Sequence, residues 1–562
     1  MVILPKSINL LGPPLEGINM KQTSDDASGY LLGVDVGTGS ARAGLFTTDG
    51  RMVGTDACAI AIHRDGDIVE QSSEEIWQAV VTSVRGAIAH AEVTPRAVKG
   101  IGFDATCSLV VLGPGGAPLP VGDPDHPERN IMVWMDHRAL DQSERINATG
   151  HRVLDYVGGR ISPEMETPKL LWLRENRPNI YAGAWQFLDL TDYLTWRATG
   201  DLARSICTVT CKWTYMGHEN SWDADYFHTI GLGDLADEGF QRIGTNIVPA
   251  GTRLANGLSA QAARDFGLTA GTPVAAGLID AHAGGVGSVG AEGGGGAVGN
   301  LAYVFGTSSC TMTSTTEPLF VPGVWGPYFS AMVPGLWLNE GGQSAAGAAI
   351  DQLLTFHPHS TEASAAATRE GMTLPTWLAN RAEEQLAGDR DTSSLAGKIH
   401  VVPEFLGNRA PFADPETRAV IAGLGMARDL DSLVSLYIAG LCGIGYGLRQ
   451  IIAAQHKEGA HVERIIISGG AGRSGLVRQL LADATCIELT APGTEEPVLL
   501  GAAILGSVAA GVHPDIPVAM AKMSSLSGKF APQSGAVSAR HDARFAIFEQ
   551  LQSIARQAAL LS

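Results

Sequence analysis

The stretch YLLGVDVGTGSARAGLF, Tyr30 to Phe46, sets two apolar runs on either side of a short turn built from glycine and hydroxyl residues. Tyr30–Val36 reads as a buried strand, Gly37, Thr38, Gly39 and Ser40 as a tight turn, and Ala41–Phe46 as a second strand ending at Thr48, Asp49 and Gly50. Glycines let a backbone approach phosphate oxygens, and Thr38 and Ser40 can donate hydrogen bonds to them, with Arg42 just beyond. Asp35 ends the first strand and is placed to hold a magnesium ion, mostly through water, because that small cation dehydrates reluctantly. An ordinary capped hairpin would use the same residues, and no Walker pattern is present here.

The same device returns downstream. Leu301–Phe305 reads as a strand, Gly306, Thr307, Ser308 and Ser309 as a turn, and Cys310–Thr315 as a Thr-rich strand. Two such turns facing one cleft could clamp a triphosphate from both sides, and their recurrence near the start of each half points to a duplicated module. Around the first unit, Arg51–His63 is expected as a third antiparallel strand, Glu74–His90 as a helix capped by Ser72 or Ser73, and Val98–Phe103 as a strand. Pro273–Ile279 is expected as another strand, running into Asp280 and a glycine-rich helix start that marks the domain boundary. Near the C-terminal end, the strand Arg464–Ser468 leads through Gly469, Gly470, Ala471, Gly472, Arg473 and Ser474 into a helix over Gly475–Asp483, a geometry that presents backbone N–H groups to a nucleotide.

Composition sets bounds on all of this. A chain of 562 residues is too long for one efficient core, so two large domains and a cleft are expected. A net charge of -19 argues against a nucleic-acid partner. The seven cysteines are scattered and odd in number, which fits free thiols in a reducing cytosol; neither His137 nor His282 has a second ligand at a metal-binding spacing. No run of about 20 apolar residues escapes charge or glycine interruption. EEPVLLGAAILGSVAAG therefore reads as a buried helix, and no membrane partner is expected. The first residues lack the features of a signal peptide; residues 1–28 are expected to form a flexible extension, with Met20 an alternative start, and the protein is expected to be cytoplasmic.

The ordered segments GVDVGTGSARAGLF, GFDATCSLVVL, NIMVWMDHRA, GGRISPEMETPKLLWL, TVTCKWTY, AGLIDAHAGGVG, VFGTSSCTM, NEGGQSAAG, EFLGNRAPFADP and ISGGAGRSGLVRQLLAD resemble the FGGY family of carbohydrate kinases, and within it the ribulokinase-like pentulose kinases. No literal Phe-Gly-Gly-Tyr occurs near EFLGNRAPFADP. The resemblance implies an α/β fold of two actin-like, ribonuclease-H-like domains with a deep interdomain cleft, and the cofactors ATP and Mg2+. It divides the chain into a sugar-binding domain over 29–285, a nucleotide-binding domain over 286–545 and a C-terminal helix or tail over 546–562, and it allows a homodimer.

Site residues follow from the same resemblance. Asp280 is implied as the general base, ionised at neutral pH and favoured as an anion near a helix N-terminus, although a plain helix cap is the structural alternative. Lys212 and Glu340 are implied at the sugar, with Cys107 lining its far end. Asp136 and Arg138 are either further sugar ligands or a structural ion pair. The turns with Gly37, Thr38, Gly39, Ser40, Arg42, Gly306, Thr307 and Ser308 are assigned to the phosphates; Gly469, Gly470, Ala471 and Ser474 are assigned to adenosine. The expected reaction is phosphorylation of D-ribulose to D-ribulose 5-phosphate. L-ribulose or ribitol as substrate, an actin- or chaperone-like ATPase switch, and a silent sugar sensor are the competing readings.

Overall fold

Leu31, Leu32, Val34 and Val36 are fully buried, so the first strand, Tyr30–Val36, has both faces covered. It lies at the centre of a five-stranded mixed sheet in the computed structural model, which describes residues 29–388 and 391–560. The expected extension over residues 1–28, Met20 included, lies outside the described residues. From one edge the sheet runs Met52–Ala59, Ser40–Thr47, Tyr30–Val36, Val98–Ala105, Leu278–Ile279. The first three strands are antiparallel neighbours and the last two run parallel to Tyr30–Val36. The helix Ser73–Ala91 is capped by Ser72, whose side chain accepts from the Glu75 N–H.

A seven-stranded sheet in the second half contains the same five-strand order. Trp337–Gln343, Ser309–Thr315, Asn300–Phe305, Arg464–Ser468 and Glu488–Pro492 follow one another with the same directions, antiparallel twice and then parallel twice. The two Gly-Thr turns occupy equivalent corners of the two sheets, which is the duplicated module expected from the repeat. Of the strand expected over Pro273–Ile279, only Leu278–Ile279 forms a continuous ladder, with an isolated bridge from Val274 to Ile101.

Two helices depart from the sequence reading. Leu430–Lys457 is long and apolar enough to cross a membrane, and the sequence reading missed it because Gly440, Gly443, Gly445 and Gly447 interrupt the run. Most of it, 78% of its apolar window, is buried, and it packs on the helix Gly475–Thr485 within the second half. The C-terminal helix is continuous over Ala536–Ala559, so residue 545 lies inside it.

The helix Pro497–Ala509 comes late in the chain but packs against Tyr30–Val36 and Val98–Ala105 of the first sheet. Gly33 and Gly102 make this approach possible, since a Cβ at either would collide with the carbonyl oxygens of Leu499 and Ala502. Glu496, just ahead of this helix, accepts from Arg42 Nη1 at 2.7 Å, tying the first turn to the second half.

Candidate active site

Three carboxylates meet where strands of the first sheet end. Asp35 and Asp104 are register partners on neighbouring parallel strands, and Leu278 and Ile279, opposite Asp104 and Ala105, lead directly to Asp280. Asp35 is held by Arg42, whose Nε donates to Oδ2 at 2.8 Å and whose Nη2 bonds the same oxygen. Asp104 is fully buried, and neither of its oxygens has a hydrogen-bond partner among the described residues. Burial first, and then the Asp35 and Asp280 charges, hold its carboxyl well above the usual range.

Asp280 opens the helix Asp280–Val286 but does not cap it: the N-cap position is Ile279, and Oδ1 accepts only from the adjacent Ala281 N–H at 2.7 Å. Nor is its pKa an ordinary one. Burial and then the Asp35 carboxylate push it up to about 6, against the pull of the Ala281 amide, His282 and Lys212. The expectation of an unperturbed anion at a helix N-terminus is thereby corrected; burial, with the Asp35 charge, outweighs that end effect.

Lys212 ends the helix Ile206–Lys212 and is buried, with its Nζ 5.3 Å from the centroid of the Trp325 ring. Burial alone would lower its pKa, yet Cys107, Glu340, Tyr328 and Glu164 hold it well above the usual value. Glu340 sits mid-strand in Trp337–Gln343. Burial would raise its pKa, but Lys212, His282 and Arg409 bring it down to about 2. Cys107 is near Lys212, and burial keeps it a neutral thiol despite that cation. This cluster takes Cys107, Lys212 and Asp280 from the first half and Glu340, Trp325 and Tyr328 from the second.

Asp136 forms the ion pair that was one of its two readings. Arg138 Nη2 bridges Asp136 Oδ2 at 2.6 Å and Glu70 Oε1 at 2.8 Å, and the Val69 N–H donates to Asp136 at 2.7 Å. With its oxygens so engaged, Asp136 is a scaffold residue, and its assignment to the sugar is corrected.

The phosphate turns have matching closures. Gly37 N donates to Ser40 O at 3.0 Å, and Gly306 N donates to Ser308 O at 3.0 Å. The Trp134 indole donates to Thr38 Oγ at 3.0 Å, which leaves the Thr38 hydroxyl proton free to be donated onward. Thr307 is seated on the start of the helix Gly347–Thr355, its carbonyl accepting from Ala346 and Ala348. Beyond these turns, Gly470 and Ser474 line a cleft of about 650 Å³ with Phe305, Gly347, Asn380 and Tyr437, a volume suited to a nucleoside. Gly469 has φ +91°, and a Cβ there would strike the Phe305 carbonyl; Ala471 follows in the turn Gly470–Arg473.

One family's models match both halves: the N-terminal domain of the FGGY family of carbohydrate kinases over residues 30–287, and its C-terminal domain over 301–510. The chain belongs to the FGGY family. It is an ATP-dependent carbohydrate kinase, a phosphotransferase to a sugar hydroxyl. An FGGY carbohydrate kinase domain-containing protein of Xenopus laevis is 42% identical over 534 residues, covering 93% of this chain and 96% of that one. A D-ribulokinase of Saccharomyces cerevisiae is 38% identical over 524 residues, covering 86% and 72%. A ligand-bound xylulose kinase of Lactobacillus acidophilus superposes with TM-score 0.77 at 17% identity, covering 93% of this chain and 98% of that one, and shares the two-domain actin-like fold.

Sequence reasoning overlooked several residues of this FGGY site. Asp104 lies three positions before Cys107 in a motif already singled out, but it reads as one more buried strand residue. Glu164 is drawn below its usual range, against the effect of burial, by a hydrogen bond from His137 and the charges of Arg409 and Lys212. Nor does sequence spacing show that His282 has Cys207 and Cys211 beside it across the fold, with Sγ and ring nitrogen atoms of the three within 4.8 Å of one another.

Proposed function

We propose that this FGGY kinase phosphorylates the terminal hydroxyl of a pentulose, D-ribulose first, giving D-ribulose 5-phosphate. The observation that carries this reading is the set Lys212, Glu340 and Asp280, the first two buried and the third partly so, contributed from both halves of the chain to one cluster of interacting charges. An ammonium and two carboxylates supply donors and acceptors for several hydroxyls and a carbonyl, more than a three-carbon polyol presents at once. Similarity to the yeast D-ribulokinase favours ribulose over xylulose.

In this reading Asp280 accepts the proton of the attacking hydroxyl, whose oxygen forms the new bond to the terminal phosphorus of ATP as the bond from that phosphorus to the β–γ bridging oxygen breaks and ADP leaves. Lys212 and Glu340 orient the sugar, and the turns at Gly37–Ser40 and Gly306–Ser308 hold the phosphates through backbone N–H groups and the Thr38 hydroxyl. The residues fit magnesium: Asp104 brings two buried oxygens without partners, and Asp35 lies beside it. Both would hold the ion through water, and a bound ion supplies charge neutralisation at the phosphates. The Asp35–Arg42–Glu496 chain keeps Asp35 turned toward that point.

The test is a coupled kinase assay over D-ribulose, L-ribulose, D-xylulose, ribitol, L-arabinitol and glycerol, with the product's phosphorylated carbon located by NMR. D-ribulose should give the highest kcat/KM and a 5-phosphate. Glycerol equal to or better than every pentulose would overturn the reading.

A further inference from the structure

Cys207 lies in the first turn of the helix that ends on Lys212, and its sulfur faces Ile279, the last residue of the strand before Asp280. The Ile279 N–H donates to that sulfur at 3.4 Å, and His282 Nδ1 lies 3.2 Å from it. Cys211, one helical turn on, completes a group whose ligand atoms all lie within 4.8 Å of one another. All three side chains are buried. On its other side, the His282 ring meets Glu340, with Nε2 3.5 Å from Oε2. The ring is therefore flanked by a sulfur and a carboxylate; imidazolium presents an N–H to both, whereas a neutral ring would have to accept the Cys207 S–H at Nδ1.

We infer that Cys207 and His282 form a buried thiolate–imidazolium pair whose task is positional: it fixes Glu340 against the sugar and anchors the Ile279–Asp280 junction, an inference that rests on Glu340 being a sugar ligand. Electrostatics agree with the geometry. Burial opposes both charges, but the Cys211 hydrogen bond and the His282 charge draw the Cys207 thiol down, while Cys207 and Glu340 push His282 up to about 10. Cys211, next to the thiolate and equally buried, is pushed up and remains a thiol. The pair touches none of the atoms that react. It acts through Glu340 and through the backbone amide one residue before Asp280.

The experiment reads the charge on His282 directly. In protein with isotope-labelled histidine, the His282 ring signal is assigned by its loss in His282→Asn. In the wild type it should be doubly protonated at pH 7.5, and in Cys207→Ser it should become neutral. Losing a hydrogen bond to a charged group costs about 1.5–3 kcal/mol, so Cys207→Ser should raise the sugar KM roughly ten- to a hundredfold and leave the ATP KM within about twofold. A neutral His282 in the wild type would overturn the inference, as would an unchanged sugar KM in a folded Cys207→Ser protein. Stoichiometric zinc in the purified protein would also overturn it, by making Cys207, Cys211 and His282 a metal centre. The wild-type spectrum needs neither substrate nor a Cys207 variant, so an error in the sugar class alters the kinetic arm alone.

Discussion

Asp104 stands directly opposite Asp35 in the parallel register of Tyr30–Val36 and Val98–Ala105, and both of its oxygens are buried without a hydrogen-bond partner. A carboxyl whose folded pKa is raised destabilises the fold as pH climbs above its unfolded value of about 3.9. Asp104→Asn keeps the shape and removes the titration. It should stabilise the metal-free protein by about 1–3 kcal/mol at pH 7.5, with the gain disappearing toward pH 4. Magnesium should shrink the difference as well, by stabilising only the wild type. Thermal unfolding of both proteins at the two pH values, with and without magnesium, decides it; an Asn variant less stable at pH 7.5 without magnesium would count against an uncompensated carboxyl.

Asp280 must be ionised to accept a proton, so kcat/KM should be high above and fall away below pH of about 6. Asp280→Asn should abolish turnover while ATP and sugar affinities stay within about tenfold, or about 1.4 kcal/mol. Turnover near the wild-type rate in folded Asp280→Asn protein would remove it as the base.

Lys212→Met should lower kcat/KM for D-ribulose by about thirtyfold to about twenty-thousandfold, the range expected when two polar contacts at about 1–3 kcal/mol each are left unmatched. Basal ATP hydrolysis should change far less. Because the Lys212 charge pulls the Asp280 pKa down, its loss should also move the acid limb of kcat/KM to higher pH. Steady-state kinetics on each sugar at saturating ATP test both effects together.

Arg138 joins Asp136 and Glu70 in a buried network, with 3% of its side chain exposed. Arg138→Met leaves two buried acids without their cation, and breaking such a pair costs about 3–5 kcal/mol. A clear fall in melting temperature is expected, with sugar and ATP KM of the folded fraction unchanged. A rise in sugar KM without loss of stability would return Asp136 to the substrate.

Where the fold was legible, the signal was local. The strand, Gly-Thr turn and strand at Tyr30–Phe46 and again at Leu301–Thr315 announce themselves through apolar runs and turn residues that are adjacent in sequence. The shared five-strand order was not legible, because it depends on pairings such as Asn300–Phe305 with Arg464–Ser468, which no local pattern records. The chemistry divides in the same way. Asp35, Lys212, Asp280 and Glu340 stand out in motifs, whereas the raised pKa of Asp280 comes from burial in the fold and from Asp35, 245 positions earlier, and the His282 environment from Cys207, 75 positions earlier. Asp136 and Arg138 are two residues apart, yet their choice of ion pair over substrate depends on Glu70 and on the Val69 amide.

The seat of Pro497–Ala509 on the first sheet bears on how the protein is made. Ile279, the end of that sheet's last strand, leaves the ribosome well before the helix that covers Gly33 and Gly102. At about 5–20 residues per second, the roughly 220 residues between them take roughly 10–45 seconds to synthesise. During that interval the nascent first half carries an uncovered glycine-lined groove. The first half therefore cannot mature as an independent unit on the ribosome, and a fragment ending at the first domain's boundary would be a client for chaperones rather than a stand-alone sugar-binding domain.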